Sequence, residues 1–194
     1  MEKKVVIISG LSGSGKSNLV EFISEKMNLK CIHTSSVLKE LMQEKEIDLK
    51  NNFGKKNTGW WESDKAKEAF DKRLKEKKFD ELLDKKLLEL IEEGNVVMDS
   101  WTMGYLSKKG FKIWLSASAE TRAKRIAKRN NQDFEKVLEA IKLKEEKTKE
   151  IYRKLYGFEL GEKLDKFNLV IKTEKIPEEE VRKIVLAEIK KHFS

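Results

Sequence analysis

Val5-Val6-Ile7-Ile8-Ser9-Gly10-Leu11-Ser12-Gly13-Ser14-Gly15-Lys16-Ser17 joins a strand pattern to a glycine-rich turn. Four consecutive β-branched residues within Lys4 to Ser9 predict a strand buried on both faces, as in a parallel sheet. Gly10 to Ser17 fits the spacing G-x-x-x-x-G-K-[ST]. Glycines allow the backbone to curl so that successive N–H groups point inward at phosphate oxygens. At that spacing Lys16 reaches the β- and γ-phosphates of a nucleotide, and the Ser17 hydroxyl faces Mg²⁺. Leu19, Val20, Ile23 and Met27 then recur on one face of a helix from about Lys16 to Met27, whose positive N-terminal end adds to the anion site. Strand, glycine loop and helix together predict a P-loop that grips ATP through Gly10, Leu11, Ser12, Gly13, Ser14, Gly15, Lys16, Ser17 and Asn18, with Mg²⁺ as cofactor.

The remainder of the chain alternates short apolar runs with amphipathic ones. Leu29 to His33 predicts a second strand. Ser35 and Ser36 are placed to cap a helix from Val37 to about Glu46. Asn51 to Ser63 has no periodicity, two glycines and several asparagines, and predicts a loop. A charged helical stretch follows from about Asp64 to Glu93, broken near Lys78. Gly94-Asn95 stops it before a third strand, Val96 to Asp99. Phe111 to Leu115 is a fourth strand, followed by helices from about Ala119 to Arg129 and Asp133 to Tyr156, the second C-capped by Gly157. Asn168 to Lys172 is a fifth strand, and Pro177 opens a final helix to about Lys190. The expected fold is α/β, a five-stranded parallel sheet with helices on both faces.

The 194 residues suit one domain. No apolar run approaches the roughly 18 residues of a membrane span. No signal peptide opens the chain either, and a cytoplasmic protein is expected. Cys31 is the single cysteine, so an internal disulfide is excluded; its plainest reading is a small core residue. The net charge is +8 and the sequence pI about 9.3. The cations are mostly lysines interleaved with glutamates, as in Glu145-Glu146-Lys147-Thr148-Lys149-Glu150. Interleaving predicts an exposed helix face rather than a nucleic-acid surface.

Four further groups stand out. Asp99 ends a buried strand, where a carboxylate beside a P-loop orients Mg²⁺ or its waters; its other reading is an acid opening a loop. Arg122, Arg125 and Arg129 share a helix face at i, i+3 and i+7. Such arginines clamp a moving phosphoryl group, and Arg125 and Arg129 are the favoured pair over a solvated basic face. Trp60-Trp61 either stacks on a base or covers the core. Trp101 is the better stacking candidate. His33 is a core-edge histidine or a contact to the acceptor base.

With these residues in hand the chain resembles the nucleoside monophosphate kinases, most closely the archaeal-type cytidylate kinases. The resemblance runs over nearly the whole length. It is carried by residues 7–17, Lys112-Ile113-Trp114-Leu115 with Ala117, Arg122-Ala123 with Arg125-Ile126-Ala127-Lys128-Arg129, Tyr152 with Tyr156-Gly157, and Leu169-Val170-Ile171 with Thr173. It implies ATP-dependent phosphorylation of a nucleoside monophosphate, CMP or dCMP to CDP or dCDP, by a monomer. It also implies one P-loop kinase domain with a core (1–35, 94–121 and 157–194), an acceptor-binding insertion (about 36–93) and a lid (about 122–156). Lys16, Asp99, Arg125 and Arg129 would be catalytic, and Ser17 and Asp99 would serve Mg²⁺, the latter through water. Ser36, Lys39, Asp84, Lys85 and Trp101 would face the acceptor. Where the family commonly carries arginines, this chain has Lys39, Lys85, Trp101 and Ile151. A lysine holds phosphate as a point charge without the arginine fork. Two other readings stay open: a kinase of the same fold acting on AMP or a non-nucleotide, and a nucleotide-gated binding protein with weak ATPase activity.

Overall fold

A computed structural model describes residues 3–44 and 78–194. The expected Asn51–Ser63 loop, Trp60, Trp61 and the helical stretch before Lys78 lie outside the described residues, as does the side chain of Lys39. The elements are β1 (Val5–Gly10), α1 (Lys16–Met27), β2 (Lys30–His33), α2 (Thr34–Glu44), α3 (Lys78–Glu93), β3 (Val96–Asp99) and α4 (Met103–Leu106). They continue with β4 (Phe111–Ser116), α5 (Ala119–Asn130), α6 (Phe134–Tyr156), β5 (Leu169–Lys172) and α7 (Glu178–His192). All five strands are parallel, in the order β2-β3-β1-β4-β5.

Among the described residues the expected strands and long helices are present, and the differences have local causes. The helix after β2 begins at Thr34 rather than Val37, so Ser35 and Ser36 lie inside its first turn and do not cap it. The capping duty falls to Asp99, whose Oδ1 accepts the Thr34 N–H at 3.0 Å. Cys31, expected in the core, is exposed on the edge strand β2. The run Glu145 to Glu150 is not a uniformly solvated face: Glu145 and Thr148 are buried. The short α4 and a 3₁₀ turn at Leu164–Lys166 have no counterpart in the sequence reading. Asp133 caps α6 by accepting from the Lys136 N–H, and Gly157 ends it in the left-handed region at φ 70°.

Strand alternation divides the core. Val6 and Ile8 face α1 and α7, packing with Leu19, Val20, Ile23, Val181 and Val185. Val5 and Ile7 face the other way, against Val37 of α2 and Leu83, Leu87 and Ile91 of α3. Both faces of the sheet are thus covered, which is why the strands read as unbroken apolar runs. A third cluster is aromatic and joins Tyr105, Trp114, Tyr152 and Phe167 beneath the end of α6. β1 lies between β3 and β4, so the connection from β1 to β2 and the crossover from β3 to β4 run to opposite sides of it. That arrangement opens a crevice at the carboxyl ends of the strands. Register fixes what meets there: Ile8 lies beside Asp99, and Asp99 beside His33. Among the described residues no helix is long and apolar enough to cross a membrane.

Candidate active site

The loop from Gly10 to Ser17 curls over the end of β1 through glycines with positive φ. Gly13 has φ 79° and Gly15, the N-cap of α1, has φ 99°. A Cβ on Gly13 would lie 2.8 Å from the Arg122 carbonyl oxygen and 3.0 Å from Ile126 Cδ1. Gly13→Ala therefore combines this crowding with a left-handed backbone that costs an L-residue about 1–2 kcal/mol. The expected result is an affinity for ATP about tenfold weaker by isothermal titration. An unchanged affinity would show that the curl of the loop is not what holds phosphates.

Lys16 turns back along the loop and donates to the Leu11 carbonyl at 2.9 Å. Burial, partly offset by Asp99, lowers its pKa to about 8. The Ser17 hydroxyl donates to Asp99 Oδ2 at 3.2 Å across the gap between β1 and β3. Asp99 also accepts the Thr34 N–H and meets His33 Nδ1 at 2.9 Å. Burial pushes the Asp99 carboxyl up, but the hydrogen bond and charge of His33, the Thr34 N–H and Lys16 outweigh it and hold the carboxyl below its ordinary range. The bond to Asp99 raises the His33 pKa against the effect of burial. His33 is thus half-buried at the end of β2 beside Asp99, as the core-edge reading expected.

A cavity of about 450 Å³ opens beside the loop. Residues 13–19 form one wall, Arg125 and Arg129 another, and Thr173, Ile176 and Val181 close it. Arg125 is aimed by Thr173, donating to its Oγ1 at 2.9 Å and its carbonyl at 2.6 Å. Arg129 is exposed and donates to Asn130. Asn18, on the same wall, lies 3.4 Å from Glu178. Ser14 Oγ, in the lining, is buried with no hydrogen-bond partner among the described residues. An orphaned hydroxyl inside a ring of N–H groups is what an anion would satisfy. The Ser17 and Asp99 oxygens form a hard donor set suited to Mg²⁺. The residues present therefore fit a magnesium-bound polyphosphate.

Arg122 departs from its two helix neighbours. It is buried and does not line the cavity. It donates to the Ala117 carbonyl at 2.9 Å, to the Ser12 carbonyl at 3.0 Å and to both carboxylate oxygens of Glu145. Its role is to hold the loop against α5 and α6.

The residues expected at the acceptor do not all converge. Trp101 sits beside the loop, its ring centre 6.0 Å from Lys16 Nζ and 5.0 Å from Lys144 Nζ. Lys144, which the sequence reading passed over, reaches from α6 to donate to Ser12 Oγ at 3.2 Å. A lysine on the buried edge of an amphipathic helix was the available signal, but its charged neighbours masked it. Ser36 is exposed on the first turn of α2. Asp84 is buried, accepting from Thr102 Oγ1 at 2.7 Å and from the Tyr156 hydroxyl. Lys85 is exposed on the outside of α3 in a shallow depression with Lys3, Glu89 and Glu92. Lys3 precedes β1, so that depression is at the opposite end of the sheet from the loop, and the structure does not bring Lys85 to the crevice.

Residues 5–175 match the cytidylate kinase-like family. The cytidylate kinase of Sulfurisphaera tokodaii is 31% identical over 94% of this chain and 93% of its own. That of Pyrococcus horikoshii is 30% identical over 97% and 89%, and that of Methanocaldococcus jannaschii 31% over 95% and 97%. Among solved structures, the shikimate kinase of Bacteroides thetaiotaomicron superimposes with a TM-score of 0.56 over 99% of each chain at 14% identity, a likeness of fold alone.

Proposed function

The chain belongs to the cytidylate kinase-like family, and from that premise we propose that it transfers the γ-phosphoryl group of ATP to CMP or dCMP, giving CDP or dCDP. The observation that carries the reading is the meeting of Lys16, Ser17 and Asp99 at the ends of two adjacent strands, beside the arginine-lined cavity. The loop N–H groups and Ser14 would cradle the donor phosphates, with Lys16 on the β- and γ-phosphates. Arg125, held by Thr173, and Arg129 would steady the donor and the moving phosphoryl group. Mg²⁺ would be held by Ser17 and, through its waters, by Asp99, and supplies charge neutralisation on the phosphates. An acceptor phosphate oxygen attacks in line, and no covalent intermediate on the protein is needed.

Trp101 has no charge to offer a phosphate. Lys144 stands next to it, and its ammonium group over the indole face supplies a cation at the mouth of the loop. The acceptor would enter between α2, carrying Ser36 and Lys39, and the N-terminal half of α3, carrying Asp84. Residues of about 36–93 would form the acceptor-binding part and about 122–156 the lid, whose closure keeps water from competing as nucleophile. A cytoplasmic monomer fits this reading.

The test is the initial rate of ADP formation from ATP and Mg²⁺ with CMP, dCMP, UMP, AMP, GMP and dTMP supplied singly. CMP or dCMP is expected to stimulate turnover at least tenfold above the other acceptors. Equal rates with every acceptor and with none would leave only an ATPase and end the cytidylate kinase reading.

A further inference from the structure

Asp99 is the acid on which the Mg²⁺ side of the kinase reading depends, and its side chain is 14% exposed. Three donors converge on its carboxylate. Thr34 gives its backbone N–H to Oδ1 at 3.0 Å, while Ser17 Oγ and His33 Nδ1 reach Oδ2 at 3.2 and 2.9 Å. Asp99 is kept below its ordinary pKa, and an ionised carboxylate only accepts. His33 Nδ1 therefore carries a hydrogen toward Asp99, in the neutral ring as in the charged one.

His33 is held on its other side as well. Parallel register sets it beside Asp99. Ser17 and Glu21 lie one turn apart on α1 and share a face of that helix. Ser17 meets Asp99, and the Glu21 carboxylate lies 3.6 Å from His33 Nε2. Cys31, two residues earlier on β2 and so on the same side of the sheet, brings Sγ to 3.5 Å from that nitrogen. Adjacent turns of α1 thus bracket the Asp99–His33 pair, and the ring setting seen here answers both nitrogens.

The three donors differ in what else is asked of them. Ser17 would itself hold the metal, so its oxygen serves two groups. The Thr34 N–H belongs to the backbone at the start of α2. His33 is the side-chain donor with no second duty at the metal. We propose that His33 is a positioning residue for Mg²⁺: its Nδ1–H fixes the Asp99 carboxylate in the setting from which it holds the metal's waters. The proposal rests on the kinase reading and on Asp99 serving Mg²⁺. Removing the outer hydrogen-bond partner of a metal-binding carboxylate typically costs roughly 10–100-fold in metal affinity. A carboxylate that acts through water belongs at the lower end, about tenfold.

The experiment is titration calorimetry with a non-hydrolysable ATP analogue, in excess Mg²⁺ and again in EDTA, on the wild-type protein, His33→Leu, His33→Asn and Asp99→Asn. Melting temperatures are recorded for each. In Mg²⁺, His33→Leu is expected to bind the analogue about tenfold more weakly than the wild type. In EDTA the two should agree within about twofold, because the loop itself is untouched. His33→Asn places an amide N–H where Nδ1 stood and should recover most of the Mg²⁺-dependent affinity. In steady-state assays the Mg²⁺ concentration for half-maximal turnover should rise about tenfold in His33→Leu, with the KM for CMP within about twofold of the wild type. If His33→Leu does not fold, His33→Val, also without a donor and suited to a strand, takes its place. Equal weakening in Mg²⁺ and in EDTA would mean a structural role only and overturns the proposal. Failure of His33→Asn to recover affinity overturns it too, as does wild-type behaviour of His33→Leu when Asp99→Asn has lost the Mg²⁺ effect. If Asp99→Asn keeps the full Mg²⁺ effect, the reading of Asp99 as a magnesium residue falls, and this inference with it.

Discussion

Lys16→Met should lower kcat by about 10²–10³-fold, the loss typical of removing one preorganised donor from developing charge, while leaving the protein at least as stable as the wild type. The stability half of this expectation follows from the pKa. Burial lowers Lys16 to about 8, whereas an unfolded lysine titrates near 10.4. Below pH 8 the side chain is charged in both states, and the folded protein bears the full cost of a desolvated ammonium group. Between pH 8 and about 10.4 the folded state sheds the proton first, so the cost is relieved and this residue's contribution to stability rises with pH. Methionine keeps most of the stem near Trp101 and removes the cation. In urea unfolding the variant should therefore match or exceed the wild type at pH 7, and the gap should narrow by pH 9. Asp99 and the Leu11 carbonyl compensate the cation only in part until phosphate arrives, a cost in stability accepted for binding. Activity within tenfold of the wild type, or a clear loss of stability at pH 7, would sink this account of the loop.

The glycine loop was legible because its information is local. Positive-φ glycines, a lysine and a hydroxyl at fixed offsets describe one continuous turn, and the flanking periodicities identify strand and helix. Asp99 was legible for a similar reason, as the one acid at the end of a buried run. What the sequence hid depends on distant partners. Helical spacing placed Arg122 with Arg125 and Arg129, yet Arg122 is turned by Glu145, 23 residues away on another helix. Charge alternation around Glu145 read as a solvated face because nothing local marks which turn of α6 meets the loop. His33 was ambiguous until the register of β2 against β3 set it beside Asp99. Cys31 read as a core residue, but β2 is an edge strand and leaves it open, a fact of strand order that no local pattern records. Lys85 shows the limit of carrying roles across by position: its helix is present, but its side chain is on the outside, one residue from the buried Asp84.

The pair Arg122–Glu145 carries the other large expectation. Their side chains are 4% and 11% exposed, and they meet through two hydrogen bonds, with Arg122 Nη2 at 3.1 Å from Glu145 Oε2. Deleting one member leaves the other charge buried and unanswered, which costs about 3–5 kcal/mol. Glu145→Ala should therefore shift the urea midpoint sharply downward. Substituting both partners with apolar residues of similar size, Arg122→Met with Glu145→Leu, should recover most of that loss, because replacing a whole buried pair is often close to neutral. ATP affinity is expected to behave differently. Arg122 also donates to the Ala117 and Ser12 carbonyls, and no methionine replaces those bonds, so the loop is left without its tether to α5. The double variant should fold well and bind ATP more weakly than the wild type, with titration calorimetry giving the affinity and urea unfolding the stability. Recovery of both properties together would mean that Arg122 serves only the ion pair. Recovery of neither would mean that the pair, and not merely its charge balance, is required for α5 and α6 to pack. The split outcome is expected because one guanidinium group answers two separate needs: a buried carboxylate on α6 and a half-buried turn of backbone that must stay open to phosphate.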